Sequence, residues 1–429
     1  MADPIIDIKN VKQSFRNPDG QELLVLDQVD FELREGEIVA LLGKSGSGKS
    51  TLMRIIAGLL KPTFGEVTYR GTAVTDPVQG ISMVFQSFAL LPWLTVLQNV
   101  ELGLEALNIP REERRQRALK AIDMIGLDGF ESAYPKELSG GMKQRVGFAR
   151  ALVVEPDVLV MDEPFSALDV LTAEHLCSDL LALWQTKQIK TQAMIIVTHN
   201  IEEAVAIADR VLIFGSNPGY IRAEMRIKLP HPRDDEDKEF RKIVDEVYKH
   251  MTSIDKNHRA KARKMGISYR IPDADVSDLT GLLESLGEYD ENSGIVDLPE
   301  LAEDSQLDID DLFPILEALE LLQFANVSSG AIKLTEAGKA FAEADILDSK
   351  KIFAKHLLEH VPLVRHICKT LDEKRGHKAS EERFLTHLED HFTEKEAERI
   401  LRTVIDWGRY AELFAYDYNT GTLSLENPE

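Results

Sequence analysis

The chain has 429 residues, of which 44% are hydrophobic and 29% are charged, and its formal net charge is −23. This balance is typical of globular domains, and the length predicts two or three of them. No run approaches 18 apolar residues, the first residues lack a basic start and an apolar core, and only two cysteines occur. We therefore expect no membrane-spanning helix, no secretory signal and no disulfide framework.

A glycine-rich loop is the first motif along the chain. It follows a short apolar run at 37–43, which predicts a buried strand, and precedes Thr51–Leu60, which predicts a helix. Glycines let the backbone wrap so that its N–H groups point at phosphate oxygens. Lys49 would reach the β- and γ-phosphates of a nucleotide, and Ser50 would ligate Mg²⁺. The candidate binding residues are Gly43, Lys44, Ser45, Gly46, Ser47, Gly48, Lys49, Ser50 and Thr51.

Short apolar runs recur after this loop, at 81–85, 157–161, 194–198 and 211–214, with helical patterns between them. Alternation of strands and helices predicts an α/β fold with a mostly parallel sheet covered on both faces. The alternation breaks at about 87–153, which predicts a helical subdomain inserted into the fold.

A second glycine motif lies inside that insertion, at Leu138–Arg145. Ser139 is a candidate helix N-cap, and Gly140 and Gly141 leave backbone amides exposed, which makes an anion site. An ordinary capped helix start would have the same pattern.

Two carboxylates end the next apolar run, at Asp162 and Glu163. Successive side chains at the end of a strand point in different directions, so the two can have different roles. Asp162 suits Mg²⁺ held through water, and Glu163 suits orienting and deprotonating an attacking water. A strand running into an acidic turn is the plainer alternative.

Together these motifs, in this order, resemble the ATPase subunits of ABC transporters over about residues 5–230. The glycine loop resembles the Walker A motif, Asp162-Glu163 the Walker B motif with its catalytic glutamate, and Leu138–Gln144 the ABC signature. Gln86 falls at the Q-loop, Asp169 at the D-loop and His199 at the switch histidine. Met142 departs from the family, which commonly has glutamine there, and this puts a side-chain contact from that position in doubt.

The resemblance implies a P-loop ATPase fold and a role for each matching residue. It implies that Glu163, His199 and Gln86 are catalytic, and that Ser50, Gln86 and Asp162 serve Mg²⁺. It also implies nucleotide contacts by Phe15, as an aromatic residue stacked on adenine, and by Ser139, Gly140, Gly141 and Asp169. In the family, two copies enclose two ATP molecules head to tail, and the signature of one copy completes the site of the other.

The run from Ser87 to Val100 around Trp93, together with Met142 and Pro230–Arg233, resembles the nitrate/sulfonate/taurine importer subfamily. That resemblance implies a bacterial importer with separate transmembrane permease subunits and an external substrate-binding protein. It also implies a cytoplasmic location on the inner face of the membrane. The transported solute is not encoded in these residues.

The remainder of the chain differs in charge, since residues 271–429 carry 35 acidic and 15 basic side chains. We predict a nucleotide-binding domain at 1–233, a helix and basic linker at 234–270, and an acidic regulatory region at 271–429. Leucine spacing and a hairpin pattern at 324–334 resemble a winged helix, and a capping box at Thr393 and Glu396 predicts a later helix.

No lysine or arginine occurs from Ile271 to Ile332, so we expect no nucleic acid partner, because phosphate neutralisation supplies most nonspecific affinity. Two alternatives to a transporter ATPase stay open at this point. One is a soluble ABC ATPase, and the other is a nucleotide-gated regulator that acts through the winged helix.

Overall fold

The computed structural model describes residues 3–16, 22–216, 218–252, 271–289, 295–390 and 392–425. The chain forms two compact units, one of Met1–Ser14 with Leu24–Val244 and one of Phe15–Leu23 with Asp245–Glu429. The basic residues at 256–270 lie outside the described ranges, and the domain boundaries given above stay predictions. In the described ranges, every helix is too short or too polar to cross a lipid bilayer.

The described residues up to 252 form ten strands, seven α-helices and a short 3₁₀ helix at Pro135–Glu137. The strands are β1 (Ile6–Arg16), β2 (Glu22–Leu33), β3 (Ile38–Leu42), β4 (Phe64–Tyr69), β5 (Thr72–Ala73), β6 (Ile81–Val84), β7 (Val158–Asp162), β8 (Ala193–Thr198), β9 (Arg210–Gly215) and β10 (Tyr220–Arg226). The helices are α1 (Lys49–Ile56), α2 (Val96–Ala106), α3 (Arg111–Met124), α4 (Gly140–Leu152), α5 (Val170–Gln185), α6 (Ile201–Ile207) and α7 (Lys238–Thr252).

The main sheet has six strands in the order β10-β9-β3-β8-β7-β6. Five of them are parallel, and β10 pairs antiparallel with β9 at one edge. Strands β3, β8 and β9 are buried along their whole length, as expected for strands covered on both faces. The predicted α/β class with a mostly parallel sheet is confirmed.

The register of the parallel strands brings their carboxyl ends to one edge of the sheet. Leu42 pairs with Thr198, Asp162 pairs with Val197, and Val84 pairs with Met161. Loops that follow these strands therefore emerge side by side, which is where open α/β sheets bind ligands.

Smaller elements flank this sheet in the first unit. Strands β2, β1, β4 and β5 form a second sheet in that order. Helices α2, α3 and α4 pack on one another within the predicted helical insertion. Helix α2 begins at a capping box in which Thr95 and Gln98 satisfy each other's backbone N–H groups.

Within the part of the second unit that the structure describes, eight further helices and six short strands occur. The helices are α8 (Val276–Tyr289), α9 (Leu298–Ser305), α10 (Ile309–Leu321), α11 (Glu336–Ala342), α12 (Ile346–His360), α13 (Pro362–Glu373), α14 (Glu382–Glu389) and α15 (Glu394–Tyr410). The strands are β11 (Val296–Asp297), β12 (Ala325–Ser328), β13 (Ala331–Leu334), β14 (Lys378–Ser380), β15 (Ala415–Asp417) and β16 (Thr422–Ser424).

The first part of this unit has the layout predicted for a winged helix. Helices α8, α9 and α10 precede the β12–β13 hairpin, and β11 completes a three-stranded sheet in the order β11-β13-β12. The end of α7 belongs to the same core, because Tyr248 stacks on Phe313 and Gly330 donates its N–H to Thr252 Oγ1 at 2.8 Å.

One local prediction for the second unit is wrong. Thr393 precedes α15 as expected, but its side chain makes no capping hydrogen bond. Glu396 instead accepts from the guanidinium of Arg399, with Oε1 2.7 Å from Nη2. A charge-assisted pair one helical turn away replaces the reciprocal cap, because such a pair is stronger than a neutral hydrogen bond.

Trp407 anchors the core of the second unit. It is fully buried, its indole N–H donates to the carbonyl of Ala274 at 2.8 Å, and its ring meets Phe353 edge-on. We expect Trp407→Ala to lower the free energy of unfolding of this unit by about 3–5 kcal/mol. Trp407→Phe should lower the free energy of unfolding by less, about 1–3 kcal/mol, because the phenyl ring still fills most of the space and the main loss is the hydrogen bond to the Ala274 carbonyl.

Urea unfolding followed by hydrogen exchange in residues 295–425 measures both losses. The matched control is Trp93→Ala, since Trp93 is 69% exposed and should leave stability unchanged. Equal losses from the buried and the exposed tryptophan would contradict the assignment.

Candidate active site

The glycine loop connects β3 to α1 at the carboxyl edge of the main sheet. Gly48 caps α1 with φ +95°, and a Cβ there would lie 2.7 Å from Leu26 Cδ2, so only glycine fits. Lys49 is buried and donates from Nζ to the carbonyls of Gly43 and Lys44. The loop therefore encloses a positive charge beside the N-terminus of a helix, which is the arrangement that binds phosphate.

Ser50 and Asp162 meet at this edge although they are 112 residues apart in sequence. The Ser50 hydroxyl donates to Asp162 Oδ1 at 3.0 Å. Burial raises the pKa of the Asp162 carboxyl above its ordinary value, while the hydrogen bond from Ser50 and the charge of Lys49 oppose that rise. Two hard oxygen donors thus lie together next to the phosphate loop.

Glu163 lies between the other two predicted catalytic residues. Its Oε2 accepts from Gln86 Nε2 at 2.7 Å and lies 3.6 Å from His199 Nδ1. The strands β6, β7 and β8 are neighbours, so the residues that follow their carboxyl ends converge on one carboxylate oxygen.

The backbone of Glu163 holds an uncommon conformation, with φ +45°. Its N–H donates to the carbonyl of Val197 at 3.0 Å, which ties the peptide to the end of β8. Left-handed backbone at a non-glycine residue persists only where its surroundings fix it, and it clusters at functional sites. The fixed backbone therefore restricts the direction in which the Glu163 side chain leaves the main chain.

The signature residues make contacts at the start of α4. Ser139 caps α4 and accepts from the N–H of Met142 at 3.3 Å. A Cβ on Gly141 would lie 2.6 Å from Thr172 Cγ2, so the start of α4 packs closely against the start of α5.

Asp169 lies at the same place, as the N-cap of α5. Its Oδ1 accepts from the N–H of Thr172 at 3.0 Å, and the hydrogen bonds from Thr172 lower the pKa of this carboxyl. The next two side chains, Val170 and Leu171, are 72% and 68% exposed. The signature and Asp169 thus share one surface that carries an exposed apolar pair.

Phe15 lies on β1 and is 40% exposed. Its stacking on adenine stays a prediction.

Sequence reasoning missed Arg150, which joins two of the predicted motifs. Arg150 lies on α4, and its guanidinium donates to the carbonyls of Phe88 and Ala89, at 2.9 and 2.5 Å, just after Gln86. Both of those residues have positive φ, so the segment is bent there. The sequence around Arg150 could not predict that it joins α4 to the segment after Gln86, because its two partners lie 61 and 62 residues away in sequence.

Comparison with known proteins gives matches in both parts of the chain. Residues 26–166 match the family model described as ABC transporter, and residues 299–417 match the one described as C-terminal AAA-associated domain. An uncharacterized ABC transporter ATP-binding protein of Methanocaldococcus jannaschii is 47% identical over 215 residues, which is 50% of this chain and 79% of that protein.

Two further relatives have more specific names. The nitrate import ATP-binding protein NrtD of a Synechocystis species is 47% identical over 208 residues, which is 48% of this chain and 77% of that protein. The aliphatic sulfonates import ATP-binding protein SsuB of Bacillus cereus is 40% identical over 242 residues, which is 56% of this chain and 94% of that protein.

Proposed function

The chain belongs to the family of ABC transporter ATP-binding proteins, and we propose that it hydrolyses ATP to power an importer of a small anion such as nitrate, a sulfonate or taurine. The observation that carries this proposal is the Glu163 carboxylate, held by Gln86 and facing His199 beside the buried Lys49. The names of the relatives support the class of solute.

The chemistry that these residues offer is hydrolysis of the γ-phosphoryl group of ATP. Lys49 and the loop amides attract the phosphates, and Glu163 takes a proton from the water that attacks the γ-phosphorus. His199 donates an N–H to the γ-phosphate and stabilises the charge that develops on it. ADP and inorganic phosphate are then released.

Mg²⁺ fits the oxygen pair beside the loop. Ser50 Oγ and Asp162 Oδ1 are 3.0 Å apart, and hydroxyl and carboxylate oxygens are the donors that Mg²⁺ prefers. We propose that Ser50, Asp162 and the side-chain oxygen of Gln86 hold the ion, directly or through water. When bound, the ion neutralises charge on the β- and γ-phosphates.

Asp162→Asn should raise the Mg²⁺ concentration needed for half-maximal ATPase activity by roughly 10- to 100-fold, as loss of a metal-supporting carboxylate commonly does. A Mg²⁺ titration at fixed ATP measures the shift. Asp157→Asn is the matched control, because Asp157 pairs with Tyr69 and Arg70 and not with Ser50. An unchanged Mg²⁺ requirement in Asp162→Asn would contradict the ligand assignment.

We propose that a second copy of the chain supplies the missing part of the site. Ser139 and its glycines share a surface with Asp169, where the exposed Val170 and Leu171 offer apolar area. In a two-fold dimer that surface meets the glycine loop of the other copy, so each ATP lies between two chains. Release of phosphate removes an attraction across the interface, which opens the dimer.

The permease is proposed to dock on the helical insertion near Trp93. That side chain is 69% exposed on the segment between β6 and α2. Arg150 fixes the same segment after Gln86 and connects it to α4, which begins at the signature. Movements at Gln86 and at the signature would therefore both be transmitted to a docked permease helix. We also propose a location on the inner face of the membrane and an external substrate-binding protein as an indirect partner.

Reconstitution with a candidate permease of the nitrate, sulfonate or taurine class tests the proposal. We expect ATP-dependent uptake of nitrate, a sulfonate or taurine into vesicles, and loss of both uptake and co-purification in Trp93→Ala if the docking assignment holds. ATP hydrolysis without association with any membrane protein would favour a soluble ABC ATPase instead. A salt-dependent shift of duplex DNA by the full chain would favour the regulator, against the acidity of 271–332.

A further inference from the structure

A buried carboxyl next to the catalytic cluster has no place in the chemistry described so far. Glu203 lies in the first turn of α6, where its Oε2 accepts from the Thr198 hydroxyl at 3.1 Å. Its other oxygen, Oε1, is shielded from solvent and has no hydrogen-bond partner among the described residues. A half-satisfied buried carboxyl costs folding free energy, so its presence requires a compensating role.

Glu203 closes a ring of hydrogen bonds around the turn that carries His199. The Thr198 hydroxyl accepts from the N–H of Asn200 at 3.0 Å, and Asn200 Oδ1 accepts from the N–H of Glu203 at 2.8 Å. With the Thr198–Glu203 bond, this ring joins residues on both sides of His199. It fixes the backbone at the point where β8 ends and α6 begins.

We infer that Glu203 is a positioning residue for hydrolysis, which holds the Thr198–Asn200 turn so that the His199 imidazole stays directed at Glu163 and the γ-phosphate. This inference rests on the ATPase activity proposed above. The plainer alternative is that Glu203 only stabilises α6 as an acidic residue near a helix N-terminus. Glu202, exposed in the same turn, can serve that purpose equally well and is therefore the matched control.

The titratable groups around Glu203 belong to three other parts of the chain. Burial raises the pKa of the Glu203 carboxyl to about 7, opposed by the Thr198 hydrogen bond and by His199, and assisted by Glu163 at the end of β7. On α5, burial and the charge of Glu203 raise the pKa of Cys177 to about 12. Glu203 is thus partly ionised near neutral pH, within the electrostatic reach of the catalytic pair.

The raised pKa of Glu203 also makes the stability of the fold depend on pH. The ordinary pKa of 4.5 is raised on folding, so the folded chain binds this proton more tightly than the unfolded chain does. The favourable contribution is complete below pH 4.5 and is lost as pH rises to about 7 and beyond. Glu203→Gln cannot ionise, so at pH 8 it should melt a few degrees above wild type, and at pH 5 the difference should shrink.

The experiment compares Glu203→Ala, Glu203→Gln, Thr198→Val, Thr198→Ser and Glu202→Gln in the purified full chain. We expect Glu203→Ala and Thr198→Val to lower kcat roughly tenfold with little change in KM for ATP, because the lost hydrogen bond positions a group in the transition state. Glu203→Gln should keep most of the rate, because its amide oxygen can still accept from the Thr198 hydroxyl. Thr198→Ser should restore most of the rate, since it keeps the hydroxyl. Glu202→Gln should behave as wild type.

The outcomes separate the inference from the proposed function. Wild-type kcat in both Glu203→Ala and Thr198→Val would overturn the positioning role while leaving the ATPase assignment intact. A loss of rate in Glu203→Ala that disappears at temperatures where the variant is fully folded would show that Glu203 only stabilises the fold. A wild-type chain that does not hydrolyse ATP would overturn both.

Discussion

Replacing Glu163 by glutamine should abolish steady-state ATP hydrolysis while leaving ATP binding intact. The amide keeps the shape of the side chain and can still contact Gln86, whose Nε2 lies 2.7 Å from Glu163 Oε2 in the native chain. It cannot accept a proton from water, and loss of a general base costs about 10²- to 10⁴-fold in rate. We therefore expect kcat to fall by that range with little change in affinity for ATP.

Phosphate release at saturating ATP and equilibrium binding of labelled ATP measure the two quantities separately. A second readout is the state of assembly, since a chain that binds but does not cleave ATP should accumulate as the closed dimer. Glu202→Gln is again the control, because Glu202 is an exposed carboxyl outside the cluster. Near-normal turnover in Glu163→Gln would refute the role as base, whatever its effect on assembly.

Lys49→Ala should weaken ATP binding and hydrolysis together. In the native chain the ammonium group is buried and contacts the carbonyls of Gly43 and Lys44 at the mouth of the loop. Alanine removes the positive charge that we propose faces the phosphates, and removal of one such donor from an active site costs about 10²- to 10³-fold in kcat. Affinity for ATP should fall as well, because the proposed contact with the phosphates is made in the ground state and in the transition state.

The control for this variant is Lys61→Ala, which removes an exposed lysine beyond the end of α1 and should leave both quantities unchanged. Lys49→Arg adds a finer test. It keeps the charge but has a planar, longer head group that does not fit a site shaped for an ammonium. Full activity in Lys49→Ala would contradict the assignment of the glycine loop to the nucleotide-binding site.

The two variants together distinguish binding from chemistry. Glu163→Gln changes the group proposed to act on the attacking water, so it should alter kcat alone. Lys49→Ala changes the group proposed to contact the phosphates both in the bound state and in the transition state, so it should alter KM and kcat. The same loss pattern in both would mean that the two residues belong to a single binding site without a separate base.

Several features of this protein could be predicted from its sequence because they are encoded locally. The glycine loop needs its residues at fixed spacing between a strand and a helix, and Gly48 in fact lies at φ +95° as α1 begins. The apolar runs that become β3, β8 and β9 predict a parallel sheet, because strands that are buried on both faces are apolar at every position and do not alternate with polar residues. The acidity of residues 271–332 is likewise visible in composition alone.

Other features depend on which segments meet, and only the tertiary structure decides that. Gln86 and Glu163 are 77 residues apart, and they touch because β6 and β7 are neighbours in the sheet. In sequence, Arg150 is an ordinary arginine of a helix, and only the folded chain shows that it donates to the carbonyls that follow Gln86. The capping box at Thr393 failed for a related reason, since Arg399 offers Glu396 a stronger partner.

By itself, then, the sequence determined which residue types stand at the carboxyl edge of the sheet, because motif spacing, strand periodicity and charge are properties of neighbouring residues. The tertiary structure decided that Gln86 and His199 approach the same oxygen of Glu163, that the starts of α4 and α5 pack together, and that one oxygen of Glu203 is shielded from solvent near His199. Burial and long-range contacts arise only when distant segments pack together, so no local sequence pattern predicts them.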